Sequence, residues 1–277
     1  MTRGVISSRM SDRLRETQEA FDSVAADYDG QRGNNELIQD MRREMWRWLD
    51  ATFAPRSRLI DIGCGTGLDA VRMAQLGHRI TAIDWSPSMA QRTADRARGA
   101  RVLERVRILA LGAHELDRLD GEGAYEGAYS NLGPLNCVPA LREVSRECAR
   151  LLGPRGKLVF TVIGRICPWE IAHYLRRRRY ARVKLRFARG SVPVGMNKHT
   201  IWTQYYGPGE FYRAFEDRFA LTHHRGLCVF APPPYLPSIR EKHSGLYDRL
   251  WRLDRRISGW PLLRAMGDHF LIVMTKR

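Results

Sequence analysis

The sequence predicts an α/β fold: a doubly wound, mostly parallel seven-stranded sheet, with a helical cap supplied by insertions. Three observations carry this. An apolar strand pattern, Leu59 to Ile62, runs straight into Gly63-Cys64-Gly65-Thr66-Gly67 and then into a helical pattern. Strand and helix patterns alternate as far as residue 163, the arrangement that joins parallel strands through crossover helices. A second strand, His78 to Asp84, ends on a carboxylate seventeen residues beyond Gly67.

Taken in order, residues 11–30 and 35–53 read as two helices, with Met45, Trp46 and Leu49 on the apolar side of the second. Strands are expected near 58–63, 79–84, 105–111, 125–130 and 156–163, with helices after the first two and at 137–152. Residues 164–207 interrupt the alternation. A helix is expected at 210–215 after Gly207-Pro208-Gly209, then a strand near 219–230 that Ala231-Pro-Pro-Pro-Tyr235 stops. A helix over 240–257 places Leu246, Leu250, Leu253 and Ile257 on one face. Residues 270–274 supply the last strand. The expected organisation is therefore N-terminal helices over 1–57, an α/β core over 58–163, a basic insertion over 164–207, and a C-terminal part over 208–277 with its own insertion at 231–267.

The glycine run carries the chemistry. Glycines at alternate positions let the main chain turn sharply and let a ligand lie against it. The free N–H groups opening the next helix favour negative charge. An acid at the end of the second strand, here Asp84, accepts hydrogen bonds from ribose hydroxyls. The spacing Gly-x-Gly-x-Gly differs from the Gly-x-Gly-x-x-Gly of diphosphate-binding folds. It points to a ligand with a ribose and no diphosphate, a description that S-adenosylmethionine fits.

With these residues in place, the chain resembles the class I S-adenosylmethionine-dependent methyltransferases, whose fold is Rossmann-like, and among them the small-molecule and lipid enzymes of the quinone-biosynthesis type. Phe21 to Asp29 resembles the segment that folds over the cofactor, Leu59 to Gly67 the glycine motif, and Ile83 to Met89 the second-strand acid with its helix. Ala128 to Leu132 occupies the fourth-strand position, and Leu151 to Phe160 resembles the following helix-turn-strand. The resemblance covers residues 20–163. It implies S-adenosyl-L-methionine as cofactor, with contacts from Tyr28, Asp61, Gly63, Cys64, Gly65, Gly67, Asp84, Trp85, Met89, His114, Asn131 and Leu132. Two positions depart from the family pattern. Leu111-Gly-Ala-His114 stands where an acid often meets adenine, so His114 would have to substitute. Asn131 replaces an acidic or aromatic residue. In the family's topology the fifth and sixth strands run parallel to the first, so both insertions leave from the carboxyl edge and cap the site.

Composition bounds the rest. The 277 residues can bury one substantial core. No apolar run approaches the roughly 20 residues of a spanning helix, and the first eight residues lack the apolar stretch of a signal peptide. Five cysteines are dispersed without a C-x-x-C pair. That suggests reduced thiols in a cytoplasmic protein and no metal site. The net charge is +16, with eight basic residues between Arg176 and Arg189 and no acid between Glu170 and Glu210. Such a run is either a solvated helix or the footprint of an anionic partner, whether lipid surface, phosphate or nucleic acid. Tyr180, Val183, Leu185 and Phe187 among the cations suit peripheral membrane contact and core packing equally.

No catalytic base stands out. His114, His173 and Glu170 are candidates, each equally readable as an ordinary polar residue of a loop or helix surface. Tyr205, Tyr206, Asp268 and His269 have nothing in the sequence to single them out. His223 and His224 are adjacent in a strand and so point to opposite faces. Methyl transfer does not demand a base, because the sulfonium already activates the leaving group and alignment supplies much of the rate. The expected activity is methyl transfer to a small or lipid-like acceptor, anionic or membrane-presented. An RNA methyltransferase is the alternative, although Asn131-Leu-Gly-Pro134 is not the motif expected for base amino groups. A non-catalytic S-adenosylmethionine-binding protein is a third reading.

Overall fold

The computed structural model describes residues 8–30 and 33–277. Residues 1–7, most of the stretch read above for a signal peptide, lie outside the described residues. Two helices, α1 (Ser8–Val24) and α2 (Glu36–Thr52), precede the sheet. The core follows as β1 (Arg58–Ile62), α3 (Leu68–Gln75), β2 (Arg79–Asp84), α4 (Pro87–Gly99), β3 (Val106–Ala110), β4 (Tyr125–Ser130), α5 (Leu141–Leu151) and β5 (Leu152–Ile163). Beyond it come α6 (Pro168–Arg176), α7 (Tyr180–Leu185), the hairpin β6 (Val192–Met196) and β7 (His199–Thr203), α8 (Pro208–Tyr212) and β8 (Phe219–Leu227). The chain ends with α9 (Pro237–Lys242), α10 (Ser244–Ile257) and β9 (His269–Lys276).

Seven strands form one sheet in the order β3-β2-β1-β4-β5-β9-β8. The first five strands in that order are parallel, and β9 is antiparallel to both β5 and β8. β8 therefore runs parallel to β1, and the segments after β5 and after β8 both leave from the carboxyl edge. Alternation along the strands divides the core between two faces. Ile60, Ile62, Phe160 and Ile272 pack with Val144, Cys148, Phe211 and Phe215 on one face. Leu59, Tyr129, Val159 and Leu271 pack with Met45, Leu49, Met73 and Ala97 on the other.

Four sequence expectations need correction. The first helix stops at Val24 and not at residue 30. Arg92 of α4 donates to the carbonyls of Ala25 and Ala26, holding the next residues in turns. The helix expected from 137 starts at Leu141, because Asn136 spends its side chain on main-chain groups of Ile163 and Gln204. The hairpin β6–β7 was not foreseen. It lies on α1, where the Trp202 N–H donates to Thr17 Oγ1 at 3.1 Å and the indole donates to Glu16 at 2.6 Å.

The fourth correction concerns the expected helix 240–257. His243 breaks it with non-helical dihedrals, and its buried residues are Tyr247 and Asp254. Leu246, from the expected apolar stripe, is 52% exposed. Polar pairing decides the orientation. Tyr247 donates to Asp40 of α2 at 2.8 Å. Asp254 accepts the main-chain N–H groups of Val229, Phe230 and Ala231 at 3.1, 3.0 and 2.8 Å. No helix among the described residues is long and apolar enough to cross a membrane.

Removing the Asp254 carboxylate strands three N–H groups at the turn out of β8. Each unmatched buried group costs about 1–3 kcal/mol before water repairs part of it. Asp254→Ala is expected to lower the unfolding free energy by about 3 kcal/mol in urea titrations. A loss below about 1 kcal/mol would show that the turn does not depend on this carboxylate.

Candidate active site

A cavity of about 610 Å³ lies along the carboxyl edge of the sheet, within the size range of small-molecule sites. One end is the glycine turn. The N–H groups of Gly63 and Cys64 both donate to the Ile83 carbonyl at 2.9 Å, tying the turn to β2. Gly63 adopts φ +74°, and a Cβ there would stand 2.3 Å from Pro134. Gly65 adopts φ +54°, but a Cβ on it would meet no protein atom within 4 Å. The turn therefore needs glycine for its shape at the first position, and at the second it leaves bare main chain beside open space. Asp84 accepts from the Gly65 N–H at 2.8 Å and the Ser86 N–H at 2.9 Å. Burial pushes its carboxyl up to about 6 despite those two hydrogen bonds.

Behind the turn lies a buried polar cluster on α3. Asp69 accepts from Arg42 at 2.5 Å, from the Trp46 indole at 2.6 Å and from the Asn131 amide at 3.0 Å. Asn131 accepts in turn from Thr161 at 2.9 Å. Thr161 also accepts the Leu132 N–H at 2.6 Å, which holds Leu132 at φ +62°. The N-terminal segment closes over this end. Asp29 accepts from Thr66 at 2.8 Å and pairs with Arg96, and Asp22 accepts from Ser86 and Ser88 at the start of α4. Phe21 and Tyr28 reach the cavity from this segment.

The opposite wall comes from the segments after β5 and β8. Glu170, Tyr174, Arg186, Tyr205, Tyr235, Asp268 and His269 line it. Arg186 donates through its two terminal nitrogens to Asp268 at 2.6 Å, to Glu170 at 2.8 Å and to the Gly164 carbonyl at 2.8 Å. Burial opposes its charge, but the two carboxylates outweigh burial and raise its pKa. Burial likewise acts to raise the Asp268 carboxyl, yet Arg186 and His269 hold it well below the usual range. Asp268 pairs with His269 Nδ1 at 2.8 Å.

Of the residues expected at the cofactor, Tyr28, Gly63, Cys64, Gly65, Asp84, Trp85, Met89, His114, Asn131 and Leu132 all line this cavity. Asp61 and Gly67 do not. The Asp61 side chain lies beneath the sheet edge beside Tyr129, where burial lifts its pKa well above normal. Gly67 turns the chain at φ +82° against Thr93. His114 sets its ring edge-on to Trp85, with centroids 4.4 Å apart, and burial lowers its pKa.

The expected bases fare differently. Glu170 lines the cavity but is committed to Arg186. His173 is off the wall and packs on Tyr174. His223 stacks on Trp48 with centroids 4.2 Å apart. Sequence reasoning missed Arg42 and Asp69, and gave no reason to prefer His269. Three cavity residues hold a buried polar atom without a partner: Arg42 Nε, Arg186 Nε and His269 Nε2. Such atoms are costly to leave unmet and mark where a ligand or water bonds. A cationic Arg42 beside the glycine turn, open space over Gly65 and a carboxylate at Asp84 fit a nucleoside with a carboxylate-bearing tail.

Comparisons agree with this geometry. Residues 59–156 match the family described as "Methyltransferase domain". A ubiquinone biosynthesis O-methyltransferase of Xanthomonas axonopodis pv. citri (strain 306) is 32% identical over 143 residues, covering 50% of this chain and 56% of that protein. The corresponding enzyme of Xanthomonas oryzae pv. oryzae (strain PXO99A) is 33% identical over 109 residues, 39% of this chain and 44% of that protein. The chain thus spans about half the length of the curated relatives it matches. Among solved structures, geranyl diphosphate C-methyltransferase from Streptomyces coelicolor A3(2) superposes with a TM-score of 0.59 at 17% identity, covering 96% of this chain and 98% of that one. Burkholderia thailandensis 1,6-didemethyltoxoflavin-N1-methyltransferase gives 0.56 at 17% identity, covering 100% and 93%. These likenesses establish the fold and leave the acceptor open, since the printed names span carbon, nitrogen and oxygen. Sheet order, the glycine turn and the methyltransferase-domain match over residues 59–156 together give this chain the fold of the class I S-adenosylmethionine-dependent methyltransferases.

Proposed function

We propose that the chain transfers a methyl group from S-adenosylmethionine to a small-molecule acceptor. One observation carries the reading: a single cavity joins the glycine turn and Asp84 to a separate wall built by the segments after β5 and β8. Donor and acceptor would meet within it. When bound, S-adenosylmethionine supplies a methyl group already activated by its sulfonium. Asp84 would receive the ribose hydroxyls, Arg42 would face the carboxylate tail, and Trp85, Met89 and His114 would surround the base. The N-terminal segment and the insertions 164–207 and 231–267 cover the site and exclude water, leaving alignment as the main source of rate.

The acceptor in this reading is lipid-like, anionic or presented at a membrane surface. Arg176 to Arg179 lie exposed beside Leu175, Phe187 and Tyr180, the last 58% exposed. Cations beside apolar anchors suit an anionic interface. Two of the basic residues counted in this run are used otherwise: Arg186 is buried in its ion pairs, and Arg182 lines the cavity. The name of the Xanthomonas relatives, ubiquinone biosynthesis, accords with a lipid-like acceptor.

Two measurements test the reading. Asp84 must be ionised to accept both ribose hydroxyls, and its carboxyl lies near 6. Calorimetric affinity for S-adenosylhomocysteine should be flat above about pH 6 and fall up to tenfold per unit below it. Asp84→Asn should weaken binding about tenfold at pH 7.5 and remove that slope. An unchanged slope in the variant would place the ribose elsewhere. The second measurement incubates the protein with methyl-labelled S-adenosylmethionine and separate lipid, soluble-metabolite and RNA extracts. Label in the organic phase is expected. Label in RNA would replace this acceptor with the nucleic-acid alternative, and binding without transfer to any fraction would favour a non-catalytic role.

A further inference from the structure

His269 is the first residue of β9 and pairs with Ile163 at the carboxyl edge of β5. It is only 8% exposed, and it lines the cavity. Its surroundings fix its chemistry. Asp268 is an ionised carboxylate, held so by Arg186, and a carboxylate can only accept. Nδ1 must therefore carry the hydrogen that points to Asp268, so that in the neutral imidazole the lone pair is on Nε2. That nitrogen has no hydrogen-bond partner.

Competing groups on this wall are otherwise occupied. Glu170 and Asp268 are both paired to Arg186. Burial raises the phenols of Tyr205 and Tyr235, so both are protonated near neutrality. Tyr235 lies against Cys167, with oxygen and sulfur 3.6 Å apart, and Tyr205 presents its ring to Arg186 at 5.1 Å. Among the described residues, three that line the cavity each hold one buried, unpartnered side-chain atom. Two are guanidinium nitrogens, which cannot accept a proton. The third is His269 Nε2.

Resting on the methyl-transfer reading above, we propose that His269 is the general base for a hydroxyl acceptor, an alcohol or a phenol, with Asp268 and Arg186 as positioning residues. The acceptor O–H donates to Nε2. An oxygen lone pair forms the new O–C bond while the C–S pair returns to sulfur, giving a neutral thioether. The hydroxyl proton passes to Nε2, and the resulting imidazolium is balanced by Asp268. An amine or thiolate acceptor would need no such base. A hydroxyl gains about a hundredfold or more from one.

The test has a readout that needs no acceptor. Nitrogen-15 imidazole spectra of the wild-type protein at pH 7.5 should show His269 as the Nδ1–H tautomer, and Asp268→Asn should abolish that preference. An Nε2–H tautomer in the wild type would overturn the assignment. His269→Gln should bind S-adenosylhomocysteine within about twofold of wild type, yet transfer label to the active extract fraction at least a hundredfold more slowly. Transfer within about threefold of wild type, or loss of cofactor binding in the variant, would overturn the base role. Label recovered as an N-methyl or S-methyl product would overturn the hydroxyl class. Failure of the wild type itself to bind S-adenosylhomocysteine would instead sink the underlying methyl-transfer reading. If His269→Gln does not fold, the tautomer measurement still decides.

Discussion

The carboxylate of Asp69 joins segments that are far apart in the chain: Arg42 and Trp46 on α2, and Asn131 just beyond β4, all within 3.0 Å. Removing it would leave a guanidinium, an indole N–H and an amide without a shared acceptor in a buried place, and breaking a buried charged pair typically costs about 3–5 kcal/mol. Through Asn131 and Thr161 the same network reaches the Leu132 N–H and holds its left-handed backbone. Arg42 is thereby fixed beside the glycine turn. The glycine-turn end of the cavity is thus preorganised by one carboxylate on the helix that follows the turn.

The far wall repeats the arrangement with the charges reversed. There a buried cation, Arg186, gathers Glu170, Asp268 and the Gly164 carbonyl. It brings the segment after β5 against the start of β9, so that the inserted chain and the sheet edge share one ion-paired joint. The two centres order opposite ends of the cavity: one fixes Arg42 and Leu132 beside the glycine turn, the other fixes His269 through Asp268. Neither relies on the exposed arginines of 176–179.

The legible parts of the sequence were those governed by short spacing. The strand before Gly63, the glycines at alternate positions and the acid at Asp84 are all set within a few turns of chain, and the alternation of strand and helix patterns revealed the sheet. What escaped was decided by distant partners. Nothing in the sequence singled out Arg42, because its partner Asp69 lies 27 residues away. Arg186 was counted with a solvated basic run, yet its partners Glu170 and Asp268 stand 16 and 82 residues away. On α10, leucine periodicity found only part of the inner face: Leu250 packs against the Tyr247 cluster, but Leu246 and Leu253 are exposed, since Tyr247 and Asp254 satisfy buried polar groups of other segments and turn the helix accordingly. Asp61 was read as a ligand contact because it belongs to the glycine motif, but strand alternation turns it away from the cavity.

The structure of a complex with S-adenosylhomocysteine tests the central claim most directly. Its ribose hydroxyls should lie on Asp84, its carboxylate should face Arg42, and its sulfur should point across the cavity toward the wall that holds His269. A ligand seated away from the glycine turn, or one whose sulfur is screened from that wall, would contradict the division of the cavity into donor and acceptor ends.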